Sequence, residues 1–334
     1  MLWLEKPARD ESGYTSLMQF YDIFNGDADG ICALHQLRLQ DPCESVLVTG
    51  VKRDIDLLAR VKARAGDELT VLDISLAVNA KDLARLLAAG ARCRYFDHHA
   101  PGTIPRHPNL NAVIDTSPET CTSLLVDRYL KGSQRLWAVV AAFGDNLPVP
   151  AARAAASLGL EESDLARLRE LGEALNYNAY GETTDDLHYH PAELYETLRP
   201  YADPREFMEN EPVFDVLRDA RLDDLDRALR AEPRFSTTQG AVVILPDVAW
   251  ARRAHGALGN RLAAREPGRA HAVLVTKPDG YLVSVRAPVE RPRGADALCA
   301  KFETGGGRSG AAGINTLPEA ELQRFVAEFE KAFS

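Results

Sequence analysis

The sequence predicts an α/β protein with a parallel-sheet N-terminal domain, a helical linker and a smaller C-terminal α/β domain. Three observations carry this expectation. Short apolar runs alternate with helical stretches from Leu17 to about Asp145, the pattern of βαβ units around a mostly parallel sheet. From about Pro150 to Arg230, Ala, Leu, Glu, Asp and Arg dominate and β-branched runs are missing, which reads as helix. From Phe235 onwards strand-like runs return, with the turn signal Pro278-Asp279-Gly280 between two of them. The expected boundaries are 15–150, 151–234 and 235–334.

In the first region the strands are expected at Met18–Phe24, Ser45–Val51, Glu68–Leu72, Arg92–Phe96 and Ala112–Ile114. Helices are expected at Gly30–Leu39, Ile55–Ala65, Ala80–Ala89 and Thr120–Leu130. Leu136–Phe143 is a further apolar run, read as a buried helix because Ala is frequent in it. Tyr177–Pro191 reads as an ordered loop. In the last region the expected strands are Gly240–Leu245, Ala272–Thr276 and Tyr281–Arg286, with helices at His255–Arg265 and Pro318–Ala332.

The 334 residues are 46% hydrophobic, enough to build a sizeable core, and the net charge is −10. That charge argues against a protein coating long nucleic acid, where many Lys/Arg–phosphate contacts are needed. It is compatible with a small anionic substrate held by a few local cations. The five cysteines form no CxxC pair, so neither a zinc ribbon nor a disulfide framework is expected, and reduced, mostly buried thiols in a cytoplasmic protein are. The opening MLWLEKPARDESG has early acidic residues and no apolar core of a signal peptide, and no apolar run approaches the length of a membrane span.

The chemistry-bearing residues sit at the ends of the apolar elements. Asn25-Gly26-Asp27-Ala28-Asp29-Gly30 follows the first strand and opens a helix; an Asp-x-Asp there either caps the helix or points two carboxylates above the sheet. Asp73 ends the third strand, and Asp97-His98-His99 ends the fourth. Gly144-Asp145 ends the apolar run that follows. Each alone has a bland reading as a turn or cap. Together, four apolar elements ending in Asp bring carboxylates to one sheet edge, where their repulsion demands cations. Oxygen ligands with an imidazole suit Mn²⁺ or Mg²⁺, and two such ions about 3.5–4 Å apart can activate water at a phosphoryl group.

In order and spacing, Asp27-x-Asp29, Asp73, Asp97-His98-His99 and Gly144-Asp145 resemble the four motifs of the DHH phosphoesterase superfamily. That group contains RecJ-type exonucleases, nano-RNases, cyclic-dinucleotide phosphodiesterases and family II pyrophosphatases. The run Thr304-Gly305-Gly306-Gly307-Arg308-Ser309-Gly310-Ala311-Ala312-Gly313 resembles the glycine-rich signature of the DHH-associated domain, and Ser284-Val285-Arg286 resembles a segment used near the substrate phosphate.

The resemblance implies two Mn²⁺ ions, with Mg²⁺ as an alternative. Asp27 and Asp73 would hold the first, and Asp29, Asp73, His98 and Asp145 the second. His99 would face the scissile phosphate and Asp97 would orient the adjacent imidazole. Arg286, Arg308 and the amides of Gly305, Gly306 and Gly307 would hold a substrate phosphate. Three positions depart from the pattern. Ile23 stands where many members have a histidine ligand, and Asn25 where RecJ-like members have an acid, leaving Asn25 as an uncharged oxygen donor for the first ion. Arg308 replaces the signature histidine. The implied activity is a phosphodiesterase acting on short single-stranded oligonucleotides and linear dinucleotides such as pGpG or pApA, with no membrane or long-DNA partner and with a homodimer allowed. A small-phosphate phosphomonoesterase or pyrophosphatase, and a non-catalytic nucleotide sensor, are the alternatives.

Overall fold

The computed structural model describes residues 18–334, so the reading of the extreme N-terminus lies outside the described residues. The chain divides into two compact units: one holds the described residues up to Ala179 together with His188–Asp215, the other Tyr180–Leu187 and Val216–Ser334. The helical stretch expected at 151–234 is therefore shared between them.

The first unit is built on a five-stranded sheet of β1 (Phe20–Phe24), β2 (Val46–Val48), β3 (Glu68–Leu72), β4 (Arg92–Asp97) and β5 (Leu110–Ile114), in the order β2-β1-β3-β4-β5. Every neighbouring pair is parallel. Its helices are α1 (Ala28–Gln40), α2 (Leu76–Ala88), α3 (Thr122–Tyr129), α4 (Arg135–Gly144), α5 (Pro148–Ala155), α6 (Glu162–Asn178), α7 (Pro191–Leu198) and α8 (Pro204–Asn210). The strand order reverses between β1 and β3. Open parallel sheets place ligands at such a switch point, beyond the carboxyl ends of the strands.

The two faces of the sheet divide by the period-2 alternation of the strands. Ile23, Leu69, Val71, Cys93 and Tyr95 pack under α2 with Leu83, Leu86 and Leu87. The opposite face receives α1, which is apolar or small over most of its circumference and buried from Ala28 to Arg38. Such a helix must be enclosed on all sides, and α3, α4, α6 and α7 all pack against it. Asp22, on the α1 side of β1, is matched by Arg38, whose Nε and Nη2 donate to its two carboxylate oxygens at 2.8 and 2.5 Å.

The helix expected at Ile55–Ala65 is not formed; only a single 3₁₀ turn at Leu57–Arg60 is. The backbone groups a helix would pair internally are taken by side chains of α2. Asn79 accepts from the Leu58 N–H at 3.1 Å and donates to the Ile55 carbonyl at 2.6 Å, while Arg85 donates to the Leu58 and Val61 carbonyls. The helix-like apolar spacing instead buries Leu57, Leu58 and Val61 under the sheet.

The second unit has a six-stranded sheet, β10-β11-β9-β8-β7-β6, in which only β7 and β8 are parallel. Its elements are β6 (Pro233–Ser236), β7 (Gly240–Leu245), α10 (Ala249–Arg265), β8 (Ala270–Lys277), β9 (Gly280–Arg286), α11 (Ala295–Cys299), β10 (Gly305–Arg308), β11 (Ala311–Leu317) and α12 (Leu322–Phe333). α9 (Pro212–Leu229) spans the boundary of the two units. The α10 crossover joins the parallel pair, and Pro278-Asp279 forms the tight β8–β9 hairpin that the sequence predicts. α10 covers one face through Ala251, Ala254 and Leu258, and α11 and α12 cover the other through Leu298, Phe325 and Phe329.

All five cysteines are unpaired and four are buried, and no helix among the described residues is long and apolar enough to cross a membrane.

His35 on α1 is fully buried, stacked edge-on against Trp137 at 4.8 Å, with Nε2 2.8 Å from the Tyr201 carbonyl. Burial pushes its pKa down to about 4. The neutral ring therefore contributes stability that is complete above pH 6.5 and is lost as pH falls towards 4, about 3 kcal/mol in all. Urea unfolding across this range should show the wild type losing that amount relative to His35→Gln, which keeps a donor for Tyr201 but does not titrate. A pH-independent difference would contradict this account.

Candidate metal centre

The centre lies at the carboxyl edge of the five-stranded sheet, astride the reversal between β1 and β3. The chain leaves β1 at Asn25, and the Asn25 N–H donates to the Leu72 carbonyl at 3.2 Å, tying the two strand ends together. The Asn25 side chain fixes the next turn: its Oδ1 accepts from the Asp27 N–H at 3.2 Å and its Nδ2 donates to the Lys52 carbonyl at 3.1 Å. This is an orienting arrangement, with the amide oxygen expected for a metal already accepting from the backbone. Gly30 is required here, because a Cβ would meet the Asn25 carbonyl oxygen at 2.1 Å.

Asp27 caps α1 by accepting from the N–H groups of Asp29 and Gly30 at 3.0 and 3.1 Å. Asp29 is fully buried, and its two oxygens each accept from the N-terminus of α3, from the Thr122 and Ser123 N–H groups at 2.7 Å. Asp73 stands at φ +60, a left-handed conformation uncommon outside Gly and Asn. Its N–H donates to the Phe96 carbonyl at 3.0 Å, and its Oδ1 accepts from the Thr122 hydroxyl at 2.9 Å. His98 brings Nε2 to 3.4 Å from the same Asp73 oxygen. Asp97 is buried, and its Oδ1 accepts from the N–H groups of His98 and His99 and lies 2.7 Å from His99 Nδ1. The His99 ring, more exposed than His98, is thereby held with its Nε2 edge free of this bond.

The fourth acidic position depends on a close helix crossing. A Cβ on Gly144 would meet Ala28 and the Gly172 carbonyl, and one on Gly172 would lie 2.1 Å from the Val140 carbonyl oxygen. The two glycines let α4 and α6 touch backbone to backbone. Asp145, at the end of α4, and Asn176, one turn beyond Gly172, are carried to the centre together.

Lys52 joins them from the loop after β2. Its backbone N–H donates to the Ala179 carbonyl at 2.9 Å. Its ammonium donates to an Asp27 oxygen and, at 3.2 Å, to Asn176 Oδ1, and it lies 3.8 Å from an Asp145 oxygen. Neither Lys52, Asn176 nor Thr122 is singled out by the sequence. The signal for Lys52 is its place just past a strand end, in a sheet whose order sets β2 beside β1.

The electrostatics show a deficit of positive charge. Burial and Asp73 raise the Asp29 pKa to about 7; burial and Asp27 raise that of Asp73; burial, against the pull of Lys52, raises that of Asp145. Asp27 is different: burial pushes it up, but the Lys52 ammonium outweighs this and holds it below the usual carboxylate range. Burial lowers the His98 pKa less than Asp73 and its neighbours raise it, to about 10. The Asp97 Oδ2 and His98 Nδ1 atoms are buried without a hydrogen-bond partner.

A donor atom from each of Asp73, His98 and His99 lies within 4.8 Å of the others. They make an oxygen- and imidazole-bearing set suited to a divalent ion such as Mn²⁺ or Mg²⁺, and the Asp145 carboxylate acts on the His98 charge from nearby. Around Asp27 the fit is poorer, because Lys52 already engages that carboxylate. Ile23, which would face a first ion in the two-ion arrangement, is instead buried in the apolar cluster under α2.

The phosphate-binding residues expected from the sequence lie in the second unit. The glycine run is a strand and not a loop: β10 pairs antiparallel with β11, Gly305 with Ile314 through Arg308 with Ala311. Two of its glycines have structural reasons, since a Cβ on Gly305 would meet the Cys299 carbonyl and Gly307 has φ +144. Ala311 is the register partner of both Arg308 and Arg286, and Gly313 of both Gly306 and Ser284. Directly opposed residues share a sheet face, so Arg286, Arg308 and Ser284 frame a small-residue patch of Gly306, Ala311 and Gly313. Arg286 is steadied by Ser284 Oγ at 2.9 Å and Asn260 Oδ1 at 2.7 Å.

Solved structures with this architecture carry the DHH domain. The chain has the DHH fold. The DHH domain of a protein assigned to a ribosomal-protein family superposes with a TM-score of 0.61 at 14% identity, covering 94% of this chain and 86% of that one. The exonuclease RecJ bound to manganese gives 0.58 at 17% identity, covering 94% and 90%. A pGpG-specific phosphodiesterase from Vibrio cholerae gives 0.55 at 12% identity, covering 94% and 99%. No family model and no curated protein matches the chain. Asp27 and Asp29 follow β1, Asp73 follows β3, Asp97-His98-His99 ends β4, and Asp145 follows α4.

The charge deficit has a measurable consequence. In metal-free protein at neutral pH, Asp73→Asn should raise the urea midpoint, because it removes a buried like charge while Asn accepts the positive φ. It should also abolish the stabilisation of the wild type by added Mn²⁺. A lower midpoint, or an undiminished Mn²⁺ effect, would contradict the assignment.

Proposed function

We propose that the protein is a divalent-cation-dependent phosphodiesterase that hydrolyses short single-stranded oligonucleotides, down to linear dinucleotides such as pGpG or pApA, to mononucleotides. Mn²⁺ is the favoured ion and Mg²⁺ the alternative. The observation that carries the reading is that donor atoms of Asp73, His98 and His99 lie within 4.8 Å of one another at the carboxyl edge of the parallel sheet, with Asp145 near enough to act on the His98 charge. The fold shared with a pGpG-specific phosphodiesterase and with manganese-bound RecJ supports it.

The divalent cation supplies the positive charge that polarises water and the phosphoryl oxygens. The chain's own residues do the rest. Asp73, fixed by Thr122 and by its backbone, presents a carboxylate to the ion beside His98. Asp97 holds His99 by Nδ1, so that protonated Nε2 donates to a phosphate oxygen whose charge grows during the reaction. Burial lowers the His99 pKa, but the hydrogen bond to Asp97 and the charge of Asp73 raise it above its ordinary value, which favours the protonated ring. On the second sheet, Arg286 and Arg308 hold the substrate's terminal phosphate, with bidentate contacts suited to a guanidinium. The net charge of −10 favours short substrates over long strands.

Product analysis with Mn²⁺ on a panel from dinucleotides to long single strands tests the reading. Mononucleotides from 5′-phosphorylated dinucleotides are expected; intact dinucleotides beside processive cleavage of long strands would overturn it. Phosphate release without mononucleotide would indicate the phosphomonoesterase alternative, and binding without turnover the sensor. Asp97→Asn should lower kcat about 10–100-fold by freeing the His99 ring, measured on the best dinucleotide under saturating Mn²⁺. Unchanged kcat would remove Asp97 from the mechanism.

A further inference from the structure

The two-ion arrangement implied by the family resemblance asks Asp27 and Asp73 to share the first ion. The structure puts something else there. Lys52 is tied into the first unit through both backbone groups: its N–H donates to the Ala179 carbonyl and its carbonyl accepts from Asn25 Nδ2. Its side chain is mostly buried and ends among oxygens from three separate elements: Asp27 at the start of α1, Asn176 near the end of α6 and Asp145 at the end of α4. An ammonium offers three donors, and this is the kind of oxygen cage that suits a compact cation.

The residues around Asp27 leave little for a metal. Ile23 points into the apolar cluster on the opposite face of the sheet. The Asn25 amide is engaged with backbone on both sides. A divalent ion on Asp27 would have to displace Lys52 or sit against its charge. By contrast, Asp73 Oδ1 is met by the Thr122 hydroxyl and His98, and of the carboxylates assigned to the remaining ion Asp145 lies at the longer distance of 3.8 Å from the Lys52 ammonium.

We propose that the Lys52 ammonium takes the place of the first of the two cations, so that the centre holds a single divalent ion at Asp73, His98 and Asp145. This rests on the phosphodiesterase reading for the identity of the site. Lys52 then supplies, as a fixed part of the chain, the positive charge beside Asp27 that a second ion would otherwise supply. That charge is independent of the metal concentration.

The test is metal stoichiometry and spectroscopy. Protein equilibrated with excess MnCl₂ and passed through a desalting column should retain one manganese per chain, with the electron paramagnetic resonance spectrum of an isolated ion. Lys52→Met, which keeps the length of the side chain but removes its charge, should take up two and show the exchange-coupled spectrum of a pair. Lys52→Arg, which keeps a cation, should remain at one. Two ions in the wild type, or one ion in a folded Lys52→Met, would overturn the proposal and leave the phosphodiesterase reading standing. No retained ion in the wild type would overturn both. If Lys52→Met does not fold, the wild-type count and its spectrum decide alone.

Discussion

Buried carboxylates that repel one another are the constraint on which the first unit depends. Asp27, Asp29, Asp73 and Asp145 come to one edge of a parallel sheet; the first three are buried and Asp145 is half-buried. Such a group of charges is tolerated only if its oxygens are answered by donors or cations. The first unit answers them in three ways. Helix N-termini take Asp27 and Asp29, each through two backbone N–H groups. Lys52 takes what remains of Asp27 and approaches Asp145. Asp73 is left to His98, Thr122 and whatever cation binds, which is why the incoming ion is assigned to that carboxylate.

Much of the architecture serves to make this arrangement possible. α1 must begin directly at the site, so its flanks must be buried, and α3, α4, α6 and α7 enclose it. Gly144 and Gly172 bring α4 and α6 into backbone contact, which aligns Asp145 with Asn176. Gly26 and Gly30 allow the turn out of β1, where a Cβ on either would strike a backbone oxygen. The positive φ at Asp73 aims its carboxylate out of the strand line. A residue held in that conformation at the switch point is a local cost accepted where the ligand binds.

The sheet and most of the site residues are legible in the sequence because both follow from short-range rules. A β-strand ending in Asp, repeated in a βαβ alternation, needs only the topology of parallel sheets to bring the carboxylates together. What the sequence conceals depends on distant partners. The apolar residues at 57, 58 and 61 have helical spacing, yet Asn79 and Arg85 of a later helix claim their backbone groups. Lys52 looks like an ordinary loop cation until strand order sets β2 beside β1. Asn176 lies mid-pattern in a polar helix and reaches the site only through the Gly144–Gly172 crossing. The glycine run at 305–307 has the composition of a phosphate loop, but its register with β11 and the packing of Gly305 on α11 make it an edge strand.

The central claim is that a divalent ion binds at the carboxyl edge of the β1–β3–β4 strands. Anomalous diffraction from a crystal soaked in Mn²⁺ would locate it directly. The account predicts a peak bounded by Asp73, His98 and Asp145. A peak elsewhere, or none at saturating Mn²⁺, would contradict it.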